Sequence, residues 1–429
     1  MSITESTING VLIREMKRIV SRIIISSFCI LFFTSFTHKR HSLSIFEDVY
    51  TCIDYKKNVI GRGTDKFLFS FYNHLDHFIK TRMGKINIVH IGDSHIQADY
   101  LTNETRRLFQ QTFGNGGRGF LFPFRIANTN NPINYSVSFG GRWSNCKAVQ
   151  SGSGCLLGLN GLVVSTRDSN AYMMIDPDRL GKSDYSFSNL KLFYQTDEES
   201  FIPHFKRNSD RDFYFDEQPV EEGYSQFYFD KPQDSVFLNL SKSFPGQNQF
   251  QFYGISLENS NPGLLYHAIG LNGAFTKTFN KSVLFAKQLS ALEPDLVIVS
   301  LGTNDNFMPE SRYCGYCIKD NLRTLLDNIR LSKPGVSILL VSPGDFYMKN
   351  GTHSSTNDHY RMILYELAEE YNCGVWDFNE VMGGNYSIKC WTKNGLARAD
   401  YVHYSKKGYE VQGQLLYRAI MDSYEKRFN

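Results

Sequence analysis

The chain has 429 residues, 41% hydrophobic and 21% charged, so it is long enough for two or three globular domains and lacks the composition of a disordered protein. Its net charge is +3, but the first 40 residues hold six basic and two acidic side chains, and the rest balances 40 basic against 41 acidic residues. A near-neutral body with no basic stripe argues against nucleic acid as a partner.

The amino terminus has the pattern of a targeting segment. Basic residues from Arg14 to Arg22 precede the apolar run IIISSFCILFFTSF, which extends from Ile23 to Phe36. A run of 14 residues suits the apolar core of a signal peptide, whereas a membrane span needs about 20. We therefore expect residues 1–40 to direct export to the periplasm or cell envelope. No A-x-A-like cleavage site follows, so retention as a membrane anchor stays open, as does a buried helix of the fold.

Strands and helices alternate from residue 85 onward. INIVHI (86–91) predicts a buried strand, and residues 96–113 have helical apolar spacing. The alternation returns after residue 270, with helices expected at 281–292, 318–331, 358–371 and 406–427, and buried strands at 295–301, 336–342 and 374–378. Continuous apolar strands separated by amphipathic helices predict a parallel sheet covered on both faces, which is a doubly wound α/β domain.

Residues 126–265 have a different composition, rich in aromatic residues, Ser, Asn and Gly. Short strands are expected there, at 213–218, 225–230, 235–241 and 249–258. We interpret this region as a β-sandwich inserted into the α/β domain. The predicted organisation is an N-terminal segment, a first part of the α/β domain, the insert and a second part of the α/β domain, at 1–40, 41–125, 126–265 and 266–429.

Seven cysteines lie outside the apolar N-terminal run. In an exported chain they can form disulfides, and sequence proximity suggests three pairs that leave Cys52 over: Cys146 with Cys155, Cys314 with Cys317, and Cys373 with Cys390. The CGYC at 314–317 is also compatible with redox activity or half of a zinc site, but no second CxxC accompanies it. We therefore expect no metal or redox function.

Candidate chemical residues fall at the carboxyl ends of the predicted strands, where doubly wound folds bind their ligands. Ser94 follows the strand at 86–91, and Asn304, in SLGTND, follows the strand at 295–301. Asp400 and His403, in ADYVHYS, precede the last helix. These three distant segments are expected to meet at one edge of the sheet.

Such a set of side chains suits nucleophilic catalysis. A serine hydroxyl is a weak nucleophile unless a base accepts its proton, and a carboxylate can orient that base, as Asp400 would for His403. The oxyanion formed by the attack needs donors placed in advance, for which the Ser94 N–H, the Asn304 side chain and a glycine N–H are candidates.

Each residue also has an ordinary structural interpretation. Ser94 would cap the next helix, Asn304 would belong to a turn, and a DxxH spacing arises often by chance. His353 and His359 are expected to be solvated. GNGGRG (114–119) superficially resembles a phosphate loop, but it lacks a following Lys-Ser/Thr and comes after a predicted helix, which argues against nucleotide binding.

Four short blocks occur in the order typical of SGNH/GDSL hydrolases, and the chain resembles that superfamily: GDSH at 92–95, GLNGA at 270–274, GTND at 302–305 and DYVH at 400–403. The resemblance implies a flavodoxin-like α/β fold. It also implies that Ser94 is the nucleophile, His403 the base and Asp400 the orienting acid, with an oxyanion hole made by Ser94, Gly273 and Asn304. Gly270, three residues before Gly273, is an alternative within a degenerate block.

One departure from the superfamily pattern follows the serine. Many members have Leu or Ile there, whereas this chain has His95, which we expect to pack or hydrogen-bond near the site rather than act as the base.

The boundaries of the insert carry a narrower resemblance. GDSHIQAD, GNGGRGF and FYGISLENSNPGLLYHAIGLNGA are similar to the peptidoglycan O-acetylesterases, whose hydrolase domain is interrupted by a carbohydrate-binding-module-like β-sandwich. The implied partner is an O-acetylated polysaccharide, and neither metal nor organic cofactor is implied. An O-acetyltransferase, an esterase for plant or host glycans, and a non-catalytic glycan-binding protein remain alternatives. The oligomeric state stays undetermined.

Overall fold

The computed structural model describes residues 50–61, 67–150, 154–181, 183–205, 215–219, 224–348 and 350–427. The chain divides into two compact units, Met1–Thr51 and Cys52–Asn429, and every helix and strand given below belongs to the second. The predicted export segment at 1–40 lies outside the described residues. Among the helices of the described part, none combines the length and apolar character that a membrane span requires.

The strands of this unit, in chain order, are β1 (Ile60–Gly61), β2 (Lys85–Gly92), β3 (Gly117–Leu121), β4 (Ser136–Gly140), β5 (Ser144–Lys147), β6 (Leu162–Thr166), β7 (Tyr172–Asp176), β8 (Phe187–Tyr194), β9 (Ile202–Phe205), β10 (Phe215–Pro219), β11 (Tyr224–Gln233), β12 (Val236–Ser241), β13 (Phe250–Glu258), β14 (Gly263–Gly270), β15 (Leu296–Ser300), β16 (Ser337–Val341) and β17 (Gly374–Trp376). The α-helices are α1 (Phe69–Thr81), α2 (Ser94–Gln97), α3 (Tyr100–Phe113), α4 (Phe285–Ser290), α5 (Thr303–Asn306), α6 (Gly315–Ser332), α7 (Asn357–Tyr371), α8 (Phe378–Val381), α9 (Ser387–Lys393) and α10 (Lys406–Lys426).

The predicted doubly wound sheet is confirmed. Its parallel strands lie in the order β14-β2-β15-β16-β17, and β1 adds an antiparallel edge. The helices form two layers, one of α1, α3 and α10 and the other of α4, α6 and α7. Taken in chain order, the five parallel strands are arranged 2-1-3-4-5, the flavodoxin-like order. The chain reverses direction across the sheet between β2 and β15, and this switch point opens a crevice at their carboxyl ends.

The single helix expected at 96–113 is divided into α2 and α3. Asp99 separates the two with a φ of 53°, a left-handed conformation that an α-helix cannot continue through. Its buried carboxylate accepts hydrogen bonds from Arg106 and Arg118, at 3.0 and 2.6 Å. Burial alone would raise the pKa of Asp99, but the two guanidinium groups lower it below its usual range. This ion-pair network fixes the turn that follows the candidate nucleophile.

The inserted β-sandwich is also confirmed. One antiparallel sheet has the order β10-β11-β8-β13-β6-β5, with β3 also paired to β13, and the other has the order β4-β7-β12-β9. The ring of Phe205 in one sheet contacts the rings of Phe227 and Phe229 in the other, with centroids 4.7 and 6.1 Å apart. The two sheets therefore face each other across a core in which these aromatic rings are buried.

The chain leaves the sandwich through β13 and returns at once to the parallel sheet as β14. This strand, GLLYHAIG, begins at Gly263, three residues before the predicted resumption of the α/β domain. It pairs with β2 over its whole length, from Gly263 opposite Lys85 to Gly270 opposite Gly92. The GLNGA block is thereby brought beside the GDSH block.

Two of the suggested disulfides are present, Cys146–Cys155 and Cys314–Cys317, and the third is wrong. Cys373 is a buried free thiol whose Sγ lies 3.7 Å from the carbonyl oxygen of Tyr371. Cys390, on α9, lies beside Cys52 instead. Nδ2 of Asn394 lies within hydrogen-bonding distance of both sulfur atoms, which shows that the two cysteines are close together. Sequence distance favoured Cys373, but its side chain points into the core.

Candidate active site

The residues expected to carry chemistry meet at the carboxyl edge of the parallel sheet, next to the switch point. The hydroxyl of Ser94, at the start of α2, lies 3.2 Å from Nε2 of His403. Nδ1 of His403 lies 2.9 Å from Oδ2 of Asp400. Residues more than 300 positions apart in sequence thus form one hydrogen-bonded chain, Ser94 to His403 to Asp400.

Ser94 is not the cap of its helix. The N-cap is Asp93, whose carboxylate accepts the backbone N–H of His95 at 3.0 Å. Since the neighbouring aspartate performs the capping, the Ser94 hydroxyl is left to donate its hydrogen bond to His403. The sequence analysis offered helix capping as the alternative role of Ser94, and in the structure Asp93 of the same GDSH block is the cap.

Asp400 and His403 lie in a closed loop before α10. A backbone bridge between Ala397 and Tyr404 closes this loop, and the N–H of Arg398 donates to the carbonyl of His403 at 2.8 Å. Partial burial would raise the pKa of Asp400, but hydrogen bonds from the N–H groups of His403 and Val402 and from the His403 ring lower it. The carboxylate therefore stays charged and holds the proton on Nδ1, which leaves Nε2 to accept one from Ser94.

Asn304 presents an amide suited to an oxyanion hole. It lies in α5, directly after β15, and one Nδ2 hydrogen donates to the carbonyl of Ala274 at 2.9 Å. An amide nitrogen has two hydrogens, so the second one is available to a ligand. The bond to Ala274 also ties the GTND block to the GLNGA block.

Gly273 and Gly270 have different surroundings. A Cβ at Gly270 would lie 2.1 Å from the backbone nitrogen of Gln97, so this glycine lets α2 pack against the end of β14. A Cβ at Gly273 would meet no atom within 4 Å, and its φ is 75°. Gly273 therefore borders open space, whereas Gly270 is enclosed, and within the described residues the N–H groups of Gly273 and Ser94 have no hydrogen-bond acceptor.

Gln97 organises the loop that carries Gly273, a role that the sequence did not reveal. Its side-chain oxygen accepts the N–H of Asn272 at 2.7 Å, and its Nε2 donates to Thr129 and to the carbonyl of Asn130 at 3.1 and 2.8 Å. The sequence shows only a glutamine three residues after Ser94, and its partners lie far away in sequence.

Two buried acids lie behind the site. Asp305 follows Asn304 and accepts hydrogen bonds from the N–H and hydroxyl of Thr276, at 3.0 and 2.8 Å. Burial raises the pKa of Asp305 to about 6, and burial raises that of Asp93 to about 6 as well. These carboxyls hold loops in place and do not contact the Ser94 hydroxyl.

His95 packs beside His403, as expected. Its Nδ1 lies 3.0 Å from the hydroxyl of the buried Tyr409, and its ring stacks on the ring of His403. Burial, together with the neighbouring His403, lowers the pKa of His95 to about 3, so the ring is neutral near pH 7. Tyr409, in α10, was missed because nothing in its local sequence marks it as a partner of the site.

The two other histidines of interest lie outside this chain of hydrogen bonds. His353 was expected to be solvated, but its side chain is only 15% exposed, and Nε2 lies 2.5 Å from the buried carboxylate of Asp345. His359 is exposed on α7. Among the described residues, no group of three or more His, Cys, Asp or Glu side chains is arranged to hold a metal ion.

Comparison with known proteins agrees with this architecture. A model of the GDSL-like lipase/acylhydrolase family matches residues 244–411, which include GLNGA, GTND and DYVH. GDSH lies outside the match, and the insert separates it from the other blocks. Residues 244–411 thus resemble the GDSL-like lipase/acylhydrolase family, and the chain has the doubly wound fold expected of an SGNH/GDSL hydrolase.

Among solved structures, a peptidoglycan O-acetylesterase has the same fold, with a TM-score of 0.69 and 22% identity over 83% of this chain and 96% of that one. A coverage of 83% exceeds the part of the chain outside 126–265, so the match must extend into the insert. Other matches are shorter. The lipase/acylhydrolase from Enterococcus faecalis covers 37% of this chain and 77% of its own, at 21% identity and a TM-score of 0.29.

A catalytic mutant of an acetylxylan esterase from Geobacillus stearothermophilus covers 38% of this chain and 74% of its own, at 23% identity and a TM-score of 0.27. None of the curated proteins matches the chain.

Proposed function

We propose that the chain is an exported serine esterase that removes O-acetyl groups from a cell-wall polysaccharide, and that this polysaccharide is peptidoglycan. The observation that carries the proposal is the hydrogen-bonded order of Ser94, His403 and Asp400, with separations of 3.2 and 2.9 Å. A hydroxyl, an imidazole and a carboxylate in this order form the arrangement that activates serine for acyl transfer.

In the first half-reaction, Ser94 Oγ attacks the carbonyl carbon of the acetyl ester while Nε2 of His403 accepts the hydroxyl proton. The carbonyl oxygen becomes an oxyanion, which the N–H groups of Ser94 and Gly273 and the free Nδ2 hydrogen of Asn304 stabilise. The intermediate then collapses, and the bond between the acetyl carbon and the sugar oxygen breaks. His403 returns its proton to that oxygen, so the sugar leaves as an alcohol and an acetyl-Ser94 ester remains.

In the second half-reaction, His403 removes a proton from water as the water oxygen attacks the acetyl carbon. Collapse of this second intermediate releases acetate and returns the proton to Ser94 Oγ. Asp400 stays ionised throughout and stabilises the imidazolium form of His403. The sequence of steps needs no metal and no organic cofactor.

The substrate assignment rests on similarity of fold and on the inserted β-sandwich. The structure that shares this fold over 83% of the chain is named a peptidoglycan O-acetylesterase. The inserted β-sandwich is rich in aromatic residues, although the described ones are mostly core, and an insert of this kind can hold or orient a glycan beside the catalytic domain. A polysaccharide O-acetyltransferase, an esterase for plant or host glycans, and a non-catalytic glycan-binding protein are the alternatives.

Export is supported by the sequence of residues 1–40 and by the cysteines. Disulfides persist in oxidising compartments, and the chain has two, Cys146–Cys155 and Cys314–Cys317. We therefore propose a periplasmic or envelope-associated enzyme, attached to the membrane if the apolar N-terminal segment is retained.

Hydrolysis of 4-nitrophenyl acetate by wild type and Ser94→Ala tests the mechanism. We expect the variant to lose about six orders of magnitude in kcat, as when a catalytic triad loses its serine. Ser290→Ala is a matched control, since this serine is exposed on α4, outside the loop that carries Asp400 and His403. Equal rates for wild type and Ser94→Ala would exclude Ser94 as the nucleophile.

Acetate release from O-acetylated peptidoglycan, compared with acetylated xylan, tests the substrate. We expect a higher kcat/KM for peptidoglycan, and a preference for xylan would overturn that assignment. Added unacetylated glycan tests transfer, because an acetyltransferase would move acetyl groups to it instead of releasing acetate.

A further inference from the structure

A cluster of aromatic rings adjoins the loop that carries Asp400 and His403. We define the tyrosine surface as Tyr347, His353, Tyr386, Lys389 and Tyr401. The ring of Tyr347 contacts those of His353 and Tyr401, each with a centroid distance of 5.8 Å, and the ring of Tyr386 lies 4.5 Å from that of His353. The Nζ of Lys389 lies 4.9 Å from the centroid of Tyr347. These side chains come from three segments that are far apart in sequence.

The surface is held by buried polar contacts. Asp345, whose side chain has no exposed area, binds Nε2 of His353 through Oδ1 and accepts the N–H of Ile388 through Oδ2 at 2.9 Å. One carboxylate therefore joins the short hairpin that pairs Tyr347 with His353 to the start of α9. A cluster fixed in this way presents its rings without having to order them when a ligand binds.

Two of the tyrosines are exposed and have an unfavourable backbone conformation. Tyr386 is 63% exposed with a φ of 71°, and Tyr401 is 37% exposed with a φ of 53°. A bulky residue in the left-handed region costs about 1–2 kcal/mol, and such residues concentrate at functional sites. The core gains little from rings that stay in solvent, so packing alone does not account for either tyrosine.

The position of Tyr401 connects the surface to the reaction. It lies between Asp400 and His403 in the chain, and its carbonyl accepts the N–H of Tyr347 at 3.0 Å. The tyrosine surface is therefore continuous with the loop that carries the base. A polymer whose ester reaches Ser94 passes close to this loop, whereas a small aryl acetate does not extend beyond the nucleophile.

Apart from Asp400, which is held by His403, and Asp358, the exposed charges next to the surface are basic. Lys389, Lys393 and Arg398 are exposed on α9 and the loop after it, and none of the three has an ion pair among the described residues. The exposed acid near Tyr386, Asp358, is already paired with Arg361 at 2.9 Å. Exposed aromatic faces suit the apolar faces of sugar rings, and unpaired cations suit carboxylates.

We propose that the tyrosine surface binds the sugar chain on either side of the acetylated residue, and that Lys389 pairs with a carboxylate of that chain. The ligand is thus a polysaccharide that bears carboxylate groups, as peptidoglycan does and xylan lacking acidic substituents does not. This inference rests on the proposed function and specifies how that site selects its substrate.

The test uses the full chain with two variants, Tyr386→Ala and Lys389→Gln. Their matched controls are Tyr316→Ala, at a tyrosine that is 78% exposed outside the surface, and Lys80→Gln, at an exposed lysine on α1. Alanine keeps the Cβ at residue 386, so the backbone strain is unchanged. Because both substituted side chains are exposed, we expect melting temperatures equal to that of wild type.

For 4-nitrophenyl acetate we expect kcat/KM to change less than twofold in all four variants. For O-acetylated peptidoglycan we expect Tyr386→Ala to lower kcat/KM about tenfold and Lys389→Gln about threefold to fivefold, mainly through KM. For acetylated neutral xylan the effect of Lys389→Gln should vanish. If the two variants behave as their controls do on peptidoglycan, the inference is overturned, and an equal effect of Lys389→Gln on xylan would overturn its electrostatic part.

Binding without turnover separates this inference from the proposed function. Chains carrying Ser94→Ala are sedimented with insoluble peptidoglycan, alone and with Tyr386→Ala or Lys389→Gln added. We expect about threefold to tenfold weaker binding in the double variants. A wild type that binds peptidoglycan through the surface but releases no acetate contradicts the proposed function alone. Unchanged binding in the double variants contradicts the tyrosine surface.

Discussion

The ring of His95 lies stacked on the ring of His403, with centroids 5.3 Å apart and an interplanar angle of 30°. His403 also contacts Ser94 and Asp400, and in the pair with Asp400 the side chains of His403 and Asp400 are 37% and 47% exposed. Water competes for a hydrogen bond between groups this exposed, so Asp400 alone does not fix the orientation of the His403 ring. The neutral, anchored ring of His95 therefore does much to keep Nε2 of His403 directed at Ser94.

Replacing His95 by alanine should lower kcat for an aryl acetate about tenfold to a hundredfold, because the base would lose its stacking partner and sample other orientations. His95→Phe keeps a flat ring at the same place and should remain within about threefold of wild type. His77→Ala, at an exposed histidine on α1, serves as the matched control. If phenylalanine is as poor as alanine while both variants keep the wild-type melting temperature, His95 does not act by stacking.

Asn304→Ala should lower kcat by about a hundredfold to a thousandfold with little change in KM, as expected for a donor that acts mainly on the developing oxyanion. The same change also removes the hydrogen bond to Ala274, so thermal unfolding must be measured alongside. Asn248→Ala, at an exposed asparagine in the insert, provides the matched control. A rise in KM at constant kcat would show that the amide binds the ground state instead.

Alanine should destabilise the protein much more at Gly270 than at Gly273, the two glycines of the GLNGA block. At Gly270 the new Cβ would lie 2.1 Å from the Gln97 nitrogen, which forces α2 away from β14, so we expect a clear loss of both stability and kcat. At Gly273 there is open space, and only the positive φ opposes alanine, at a cost of about 1 kcal/mol. Thermal unfolding and aryl acetate kinetics of both variants check this, and an equally destabilised Gly273→Ala would contradict it.

The parallel sheet and its site segments could be predicted because the information is local. Strands such as LVIVS (296–300) are continuous apolar runs, and each of the four blocks follows or precedes such an element. Once the strands are parallel, their carboxyl ends share an edge, which brings Ser94 and Asn304 together without further knowledge. The approach of His403 required the resemblance, since a DxxH spacing before a helix has no chemical meaning alone.

The parts that could not be predicted depend on long-range packing. The break at Asp99 is fixed by Arg118, which is 19 residues away, and Gln97 acts on Asn272, which is 175 residues away. Cys390 was assigned to Cys373 by proximity in sequence, whereas the fold places it beside Cys52. No local pattern contains these partners, because tertiary contacts determine them.

Stability should depend on the buried carboxyl of Asp305. Its pKa is raised to about 6 by burial, whereas the unfolded chain has the ordinary value near 4. As pH rises from about 4 to 6, the unfolded state loses its proton first, so this group makes folding less favourable, and above pH 6 the difference levels off. A shift of about two pKa units corresponds to roughly 3 kcal/mol.

Asp305→Asn removes that titration. Its free energy of unfolding relative to wild type should therefore rise by about 2 kcal/mol between pH 4.5 and pH 7.5. Urea unfolding at the two pH values measures this difference, and Asp234→Asn, at an exposed aspartate in the insert, controls for the change of residue type. If the free energies of unfolding of the variant and of wild type differ by the same amount at both pH values, Asp305 keeps an ordinary pKa.

Cys52 and Cys390 should form a third disulfide when the chain meets a disulfide oxidant such as oxidised glutathione. Both sulfur atoms lie near Nδ2 of Asn394, at 3.8 and 3.4 Å, and burial followed by the neighbouring Cys390 raises the pKa of Cys52 to about 12. Little thiolate exists near pH 7, so the reaction should be slow there and faster at higher pH. Two thiols would lose two protons and two electrons, and the oxidant would become two thiols.

Cys373, which is buried, should keep its thiol, so Cys373→Ser is the control. Mass spectrometry of unreduced peptides after such oxidation should find Cys52 joined to Cys390, and recovery of both as free thiols would contradict the prediction.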